Sequence, residues 1–291
     1  MKKAVGGVVT MILLTNICLS QIKRLKFMVK DTVKSEGIPY ANLGVLGKPF
    51  GSNADVRGVV DFTMDLKRIT AADKFVISCI GYESLTLSLN QLLSYHEKAI
   101  ALHAKIYELN EVVIKSTATN KKILGKNEKG ALTHSNIYSV RDSIDDGLSK
   151  EFGVTFTSKK YCSIMNYNVF FSSNHFDKVK FRINIYQLDD QGVPAVLLNK
   201  DDIFFEVTNN YVGWVTTDLL RHNIILEGGK FGVTAQIVET KFSGDKPALA
   251  IPIATPSPFH GFIYRDKNQD NWLINKSANP SIYLEASCAK K

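Results

Sequence analysis

From residue 21 onward, apolar and polar residues alternate along much of the chain, in short runs bounded by Gly, Asn, Asp or Pro. The clearest run is 178–187, KVKFRINIYQ, in which apolar residues from Val179 to Ile185 occupy every second position. A period of two is typical of a β-strand with one buried and one solvated face. Such runs recur roughly every 8–12 residues, the spacing found in β-sandwiches. The pattern therefore predicts an all-β protein.

The predicted strands form two groups with a polar stretch between them. The first group comprises residues 22–29, 41–46, 59–64, 75–79, 83–87, 98–102 and 111–114, with a short helix or turn at 89–95, and the second comprises 152–156, 163–171, 178–187, 203–207, 213–218, 231–238, 259–265 and 281–285. Residues 117–130 are lysine-rich and show neither the period of two of a strand nor the period of 3.6 of a helix, so we interpret them as a linker. Because two packed sheets are the simplest way to bury such strands, we predict two β-sandwich domains, 21–116 and 131–291, the second of them jelly-roll-like.

The first twenty residues have the pattern of a secretory signal peptide. Two lysines precede an uncharged stretch, 4–19, whose centre reads VVTMILL, and small residues, Cys18 and Ser20, stand before a cut at Gln21. A membrane anchor would need about 20 apolar residues, more than this stretch offers. A lipoprotein site at Cys18 is disfavoured because Ile17 precedes it. We therefore expect an exported protein in the periplasm or at the outer membrane or cell surface, with no transmembrane segment after cleavage.

Composition narrows the class of protein only slightly. Of the 291 residues, 45% are hydrophobic and 22% charged, as in ordinary globular proteins rather than disordered ones. Loss of the signal peptide removes two lysines and no acidic residue, so the net charge falls from +8 to +6. A basic surface favours anionic glycans, lipopolysaccharide or nucleic acid. However, the basic residues are dispersed and no nucleic-acid motif is present, so we expect no nucleic-acid partner.

Three cysteines remain after the predicted cleavage. Cys79 lies in the apolar run FVISCI, where a buried, inert thiol is expected. Cys162 and Cys288 lie in the second half, and one disulfide between them is an option in an oxidising compartment, although spacing alone does not decide it. The sequence contains no CxxC motif that would indicate a metal site.

Four motifs occur in order along the first half: GIPYANL at 37–43, GSNADVRG at 51–58, FVISCIGYE at 75–83 and LNEVVI at 109–114. With them, residues 22–115 resemble the carboxypeptidase regulatory-like domain, which is common in envelope proteins of Bacteroidetes. The resemblance implies a prealbumin-like, immunoglobulin-like sandwich of seven strands. Arg24 stands where this family usually has glycine in its opening strand, and Ala54 stands where it usually has threonine.

The resemblance does not bring in the zinc chemistry of the carboxypeptidases. No histidine in the chain is followed by glutamate at the His-x-x-Glu spacing that those enzymes use to hold zinc. The second half more weakly resembles an uncharacterised sandwich that often accompanies this domain, through KFRINIY at 180–186, GWVTTDL at 213–219, and Trp272 near 282–284. That likeness implies no activity.

Other catalytic motifs are also missing from the sequence. His96 and Glu97 begin like a zinc-protease motif, but the next histidine, His103, is seven residues after the first rather than four. There is no G-x-S-x-G elbow, and no pair of carboxylates is marked by its spacing. We therefore expect a protein that is not an enzyme and that needs no cofactor.

The segment DKNQD carries oxygen ligands at alternate positions, as in the first half of a calcium loop. These candidate ligands are Asp266, Asn268 and Asp270. The glycine expected next is Asn271, and Ser277 occupies the position of the closing glutamate. A polar turn between two strands explains the same residues, so calcium is the weaker interpretation and no metal is expected.

Aromatic residues of the second half are the candidates for a binding surface. Trp214, Trp272, Tyr211 and Tyr264, with Phe262, could stack on a sugar ring. The alternative, which we favour, is that these residues belong to the core and strand rims, where Trp and Tyr are common.

Together these observations indicate a non-enzymatic envelope protein that binds or scaffolds a protein or glycan partner. One alternative is a carbohydrate-active enzyme or an accessory subunit of one. A further alternative is a component of an outer-membrane transport assembly.

Overall fold

The computed structural model describes residues 21–105, 119–130, 133–244, 246–257 and 260–289. The predicted signal peptide, 1–20, and the predicted strand 111–114 with its LNEVVI motif lie outside these residues. Within the described ranges, no helix is long and apolar enough to cross a membrane.

The described residues are mostly strand, which confirms the predicted all-β class. The first half contains β1 (Ile22–Asp31), β2 (Asn42–Val45), β3 (Lys48–Asn53), β4 (Val59–Asp65), β5 (Lys74–Ser78), β6 (Leu85–Ser88), α1 (Leu89–Leu93) and β7 (Ala99–Leu102). The second half contains β8 (Thr119–Gly125), β9 (Thr133–Asn136), β10 (Glu151–Ser158), β11 (Cys162–Phe171), β12 (Ser173–Asn174), β13 (Lys178–Leu188), β14 (Pro194–Leu197), β15 (Phe204–Thr208), β16 (Gly213–Asp218), β17 (Ile225–Leu226), β18 (Gly229–Lys241), β19 (Leu249–Ala254), β20 (Gly261–Arg265), β21 (Leu273–Asn275), β22 (Asn279–Pro280) and β23 (Ile282–Ala289), with a 3₁₀ turn at Leu220–His222.

The N-terminal sandwich packs a three-stranded sheet, β4-β1-β7, on a four-stranded sheet, β3-β2-β5-β6. Strand β1 is antiparallel to β4 and parallel to β7. Its alternate residues Leu25, Phe27 and Val29 are buried in the core between the sheets, as the period of two requires. The two packed sheets agree with the predicted sandwich, although β3 was not among the seven predicted strands and the predicted strand 111–114 lies outside the described residues.

The C-terminal unit has three described sheets around a second core. A seven-stranded sheet runs β14-β13-β18-β10-β20-β21, with β15 also on β13. A five-stranded sheet runs β16-β11-β23-β8 with β17 on β11, and a four-stranded sheet runs β12-β19-β22 with β9 on β19. All of these pairings are antiparallel. The alternating residues of β13, Val179 to Ile185, face this core, as predicted.

A disulfide joins Cys162 of β11 to Cys288 of β23. The two residues are directly opposite in the antiparallel ladder, and their Cα atoms lie 4.0 Å apart. The pairing that spacing could not decide is therefore present. Cys79 is free and buried, and burial raises the pKa of its thiol to about 12, so it stays protonated.

The structure corrects the predicted linker at 117–130. Residues 119–125 form β8, which pairs along its whole length with β23. The strand was missed because β8 lies at the edge of its sheet and has almost no buried side chain, so no alternation marks it. Lysines such as Lys121 and Lys122 are common on edge strands, where they discourage further pairing.

The four prolines of segment 247–258 predict a surface loop, and the structure corrects this prediction too. Its residues 249–254 form β19, and Leu249, Ile251 and Ile253 are buried in the core. Pro252 within this run, and the three prolines that flank it, hid the alternation in the sequence.

The two sandwiches contact each other through buried polar groups. Asn42 Oδ1 accepts hydrogen bonds from Asn53 Nδ2 at 2.6 Å and from Gln236 Nε2 of the other sandwich at 2.9 Å. Ser149 Oγ donates to Asn53 Oδ1 at 2.7 Å. Arg182, almost fully buried, donates to the carbonyl of Tyr40 at 2.9 Å. The outer face of the seven-stranded sheet is therefore partly covered by the N-terminal sandwich.

Candidate ligand-binding cleft

A cleft of about 600 Å³ opens at one edge of the C-terminal sandwich. It lies between the β20–β21 hairpin and β9, where the seven-stranded and four-stranded sheets diverge. Phe262, Tyr264 and Leu273 line the hairpin side, and Ser135 and Ile253 line the opposite side. This volume lies within the range of roughly 300–1,000 Å³ usual for ligand sites.

The strand register explains why the cleft has an apolar floor and an aromatic rim. Phe152 of β10 is opposite Tyr264 of β20, and Val154 is opposite Phe262, so all four side chains share one face of the sheet. Phe152, Val154 and Phe262 are buried in the core, whereas Tyr264 is 37% exposed. The cleft is therefore the point at which the core becomes accessible from outside.

Tyr264 presents an aromatic surface at this rim. Its ring stacks on Phe262, with centroids 5.4 Å apart and planes inclined by 23°. The buried ring of Phe262 limits the orientations that Tyr264 can adopt, because stacked aromatic pairs have a preferred geometry. A planar apolar ligand face can pack on such a ring, while the phenol hydroxyl remains available at its edge.

A buried ion pair lies on the same two strands, on the sheet face opposite Phe152 and Tyr264. Arg265 donates to Glu151 Oε2 through Nη2 at 2.6 Å and Nε at 2.9 Å. Glu151 Oε1 accepts from Asn184 at 2.7 Å, Tyr186 at 3.0 Å and Thr234 at 2.5 Å. Burial opposes ionisation of Glu151, but the charge of Arg265 and these hydrogen bonds hold its pKa below the usual value.

A second charged group lies where the cleft meets the N-terminal sandwich. Lys150 Nζ is 3.2 Å from Asp266 Oδ1, and Lys267 Nζ is 2.8 Å from Asp145 Oδ1 and 2.7 Å from Asp146 Oδ1. Burial would raise the pKa of Asp145, but the charge of Lys267 and hydrogen bonds from Lys267 and two backbone N–H groups lower it far below its usual range. Asp146 also accepts a short hydrogen bond from Ser52 of the N-terminal sandwich.

The four predicted aromatic residues do not form one platform. Tyr264 lines the cleft, and Trp272, just before Leu273, packs edge-on against Tyr186 and beneath Arg265, whose guanidinium is 4.4 Å from the ring centroid. Trp214 lies on the five-stranded sheet instead. It makes edge-to-face contacts there with Phe170 and Tyr283, at 5.4 and 5.1 Å.

Tyr211 accompanies Trp214 on that sheet. It is 47% exposed, and its hydroxyl donates to the carbonyl of Trp214 at 3.1 Å. These two residues therefore mark a surface separate from that of Tyr264, and Trp272 lies with Arg265 and Tyr186 on the sheet face opposite Tyr264.

The calcium candidates are placed among cations. Asp266 is bonded to Lys150 and lies 3.8 Å from Arg141, and Asn268 accepts from the side chain of Gln269 at 2.8 Å. The pKa of Asp270 is raised, chiefly by burial. Within the described part of the chain, no group of three or more His, Cys, Asp or Glu side chains could hold a metal ion.

Sequence reasoning did not identify the charged residues of the site, Lys150, Glu151, Arg265 and Lys267. Each of them adjoins a strand of apolar residues, where a buried charge is uncommon unless it is paired. That position is the only sequence signal available for them, and it does not indicate which partner each charge has.

Comparisons with known proteins give only distant likeness of structure. No family model matches the sequence, and no curated protein matches it. The crystal structure of the cysteine protease and lectin-like domains of Cwp84, a surface layer associated protein of Clostridium difficile, is similar with a TM-score of 0.38, at 9% identity, over 87% of this chain and 59% of that one. The clostridial cysteine protease Cwp84 after propeptide cleavage has a TM-score of 0.34, at 10% identity, over 86% of this chain and 66% of that one. This chain thus spans less than two thirds of the first of these proteins.

Proposed function

We propose that the protein is an exported, non-enzymatic envelope protein that binds a glycan in the cleft of its C-terminal sandwich. The observation that carries the proposal is the exposed ring of Tyr264, held by Phe262 at the rim of a cleft of about 600 Å³. A sugar ring has an apolar C–H face that can pack on tyrosine and hydroxyl groups at its edge. Thr133, Ser135 and Asn275, which also line the cleft, supply hydroxyl and amide groups for those hydroxyls.

Binding is a better match to the cleft than hydrolysis because Glu151, the buried carboxylate of the same strands, points to the sheet face opposite Tyr264 and has the pKa of a structural group. A general acid must carry a proton, and its pKa is therefore raised. The pKa of Glu151 is lowered, and both carboxylate oxygens accept hydrogen bonds from protein groups. This carboxylate positions Arg265, and it has the character of a structural group.

Export is supported by the Cys162–Cys288 disulfide, since such bonds persist mainly in oxidising compartments. Membership of the carboxypeptidase regulatory-like family for the N-terminal sandwich is part of the same proposal. Its support is the order of the first three motifs and the seven strands in two sheets. In this arrangement the N-terminal sandwich supports the cleft-bearing one through the polar contacts between them.

The test is a thermal-shift and calorimetry screen of the mature protein against oligosaccharides, with Tyr264→Ala as the site variant. A ligand that binds only the native state raises Tm. Loss of a central aromatic contact is expected to weaken binding roughly tenfold or more. Tyr161→Ala is the matched control, because Tyr161 is 61% exposed and does not line the cleft. Equal losses in both variants, or no shift with any saccharide, would remove the basis of the proposal.

A further inference from the structure

Four charged residues are among the described residues at the cleft: Lys150, Glu151, Arg265 and Asp266. Because side chains alternate along β10 and β20, Glu151 and Arg265 point to the sheet face opposite Phe152 and Tyr264, where they pair with each other at 2.6 Å. Lys150 and Asp266, the next residues along the two strands, pair at the cleft, with Lys150 Nζ 3.2 Å from Asp266 Oδ1. Each of the two cations is thus already engaged by an acidic side chain.

These pairs are fixed rather than available for exchange with a ligand. Lys150 and Glu151 are 4% and 1% exposed. In the Glu151–Arg265 pair, mutual attraction and hydrogen bonds outweigh the effect of burial. The pKa of Glu151 is therefore lowered and the pKa of Arg265 is raised, so both side chains remain charged. His134, the imidazole of the lining, has Nδ1 2.8 Å from Ser172 Oγ.

A carboxylated or sulfated sugar entering this cleft would lose water without gaining a free cation. Burial of an ionised group without a partner is among the costliest steps in recognition. Separating Lys150 or Arg265 from its present partner would leave an acidic side chain unpaired in its place. Neutral hydroxyl groups meet neither obstacle, since Ser, Thr and Asn side chains can donate to them and accept from them.

The basic residues that give the chain its net charge lie elsewhere. Lys121, Lys122 and Lys129 are exposed on β8 and the segment after it, and none of them lines the cleft. The overall charge of +8 is therefore a poor guide to the ligand. We infer that the cleft selects neutral saccharides over acidic ones, an inference that rests on the proposed function and names the ligand class of the same site.

The experiment compares neutral with acidic ligands of matched shape. Galactotriose and the trigalacturonate of the same linkage differ in a hydroxymethyl group against a carboxylate, and gluco-, manno- and xylo-oligosaccharides extend the neutral set. Titrations by calorimetry at about pH 8, where an ordinary imidazole is neutral, are run at about 0.05 and 0.5 M salt. We expect binding from the neutral set only, with an affinity that salt leaves unchanged.

The outcomes distinguish an error in the ligand class from an error in the glycan-binding function. Tighter binding of trigalacturonate, weakened by salt, would overturn the neutral-ligand inference and leave the glycan-binding function standing. Absence of binding by every saccharide would refute the proposed function itself, and the inference with it.

A charge-creating variant provides a second readout. Asp266→Asn removes the nearer acidic partner of Lys150 and leaves only Asp145, 3.9 Å away, so trigalacturonate should gain affinity roughly two- to five-fold, the size of one partly exposed charge pair. Glu227→Gln removes the same charge at an exposed site away from the lining and should change nothing. An equal gain in both variants would show that long-range charge, and not the paired lining, governs selection.

Discussion

Replacing Glu151 by glutamine is the sharpest test of how the cleft wall is held. Glutamine has the same shape, and its carbonyl oxygen can still accept from Asn184, Tyr186 and Thr234. Its amide nitrogen, however, would face the Nε and Nη2 donors of Arg265, which now lie 2.9 and 2.6 Å from Glu151 Oε2. Donors would then oppose donors, and the guanidinium would keep its charge without an anion.

The magnitude follows from the burial of the pair. The side chains of Arg265 and Glu151 are 10% and 0% exposed. Breaking such a pair by removing one partner typically costs about 3–5 kcal/mol, because a buried charge is left uncompensated. Replacing both charges by apolar or neutral groups of similar size costs far less than the sum of the two single changes. We therefore expect Glu151→Gln and Arg265→Met each to destabilise strongly, and the double variant to recover much of the loss.

The assay is urea unfolding followed by far-UV circular dichroism and tryptophan fluorescence, with the free energy of unfolding obtained by linear extrapolation. Arg265 lies over the ring of Trp272, so the part of the fluorescence that comes from Trp272 reports on this pair, and Trp214→Phe in the background isolates it. Glu206→Gln serves as the control, because Glu206 forms an exposed ion pair with Lys180 and should cost at most about 1 kcal/mol. If Glu151→Gln behaves like this control, or if the two single losses simply add in the double variant, the reasoning is refuted.

Three further predictions concern other parts of the molecule. Replacing both Cys162 and Cys288 by alanine should lower the free energy of unfolding by about 5 kcal/mol, because chain entropy gives this value for a closed loop of 126 residues. A loss below about 1 kcal/mol in urea unfolding would contradict the prediction. The pKa of Asp145 in the folded state lies below its ordinary value, so the contribution of this carboxylate to folding stability is complete above about pH 4 and is lost as pH falls further. Between about pH 5 and 2.5, Tm should therefore fall less steeply in Asp145→Asn than in the wild type. Parallel plots of Tm against pH for the two proteins would contradict this prediction. Gly44→Ala would place a Cβ 2.1 Å from the carbonyl oxygen of Asn268 in the other sandwich, so it should lower the free energy of unfolding by about 1–3 kcal/mol and expose the junction to protease. Gly244→Ala is the control, because Gly244 has open space around it and the substitution should have neither effect. Equal behaviour of the two variants would show that the contact between Gly44 and Asn268 is unimportant.

The strands that sequence predicted well are those whose two faces differ. Residues 178–187 alternate because one face of β13 contacts the core, and the structure has a strand at 178–188. Strand β8 has nearly no buried side chain and is held by backbone pairing to β23, which leaves no trace in residue type. Hydrophobic pattern reports burial, so an edge strand without burial is invisible to it.

The candidate site was less predictable than the fold. Tyr264 was a candidate for stacking on a sugar, although a position in the core or at a strand rim was favoured for it. Two of its neighbours in the cleft could not be foreseen: Ser135 is more than one hundred residues away in the chain, and Ile253 lies in a segment expected to be a loop. The pairing of Glu151 with Arg265 depends on β10 lying beside β20, a register that one sequence does not reveal. Trp214 and Trp272 were grouped by residue type, whereas the topology places them on different sheets.

The close approach of Gly44 to Asn268 has a consequence for how the molecule can be engineered. Asn268 lies in the turn that follows β20, directly after the residues of the cleft wall. The N-terminal sandwich therefore acts as a brace behind that turn, and only a residue without a side chain leaves room for it. A C-terminal unit transplanted alone would carry the cleft without its brace. The unit to keep together in a design is accordingly the pair of sandwiches, and a replacement N-terminal sandwich needs a glycine at the position of Gly44.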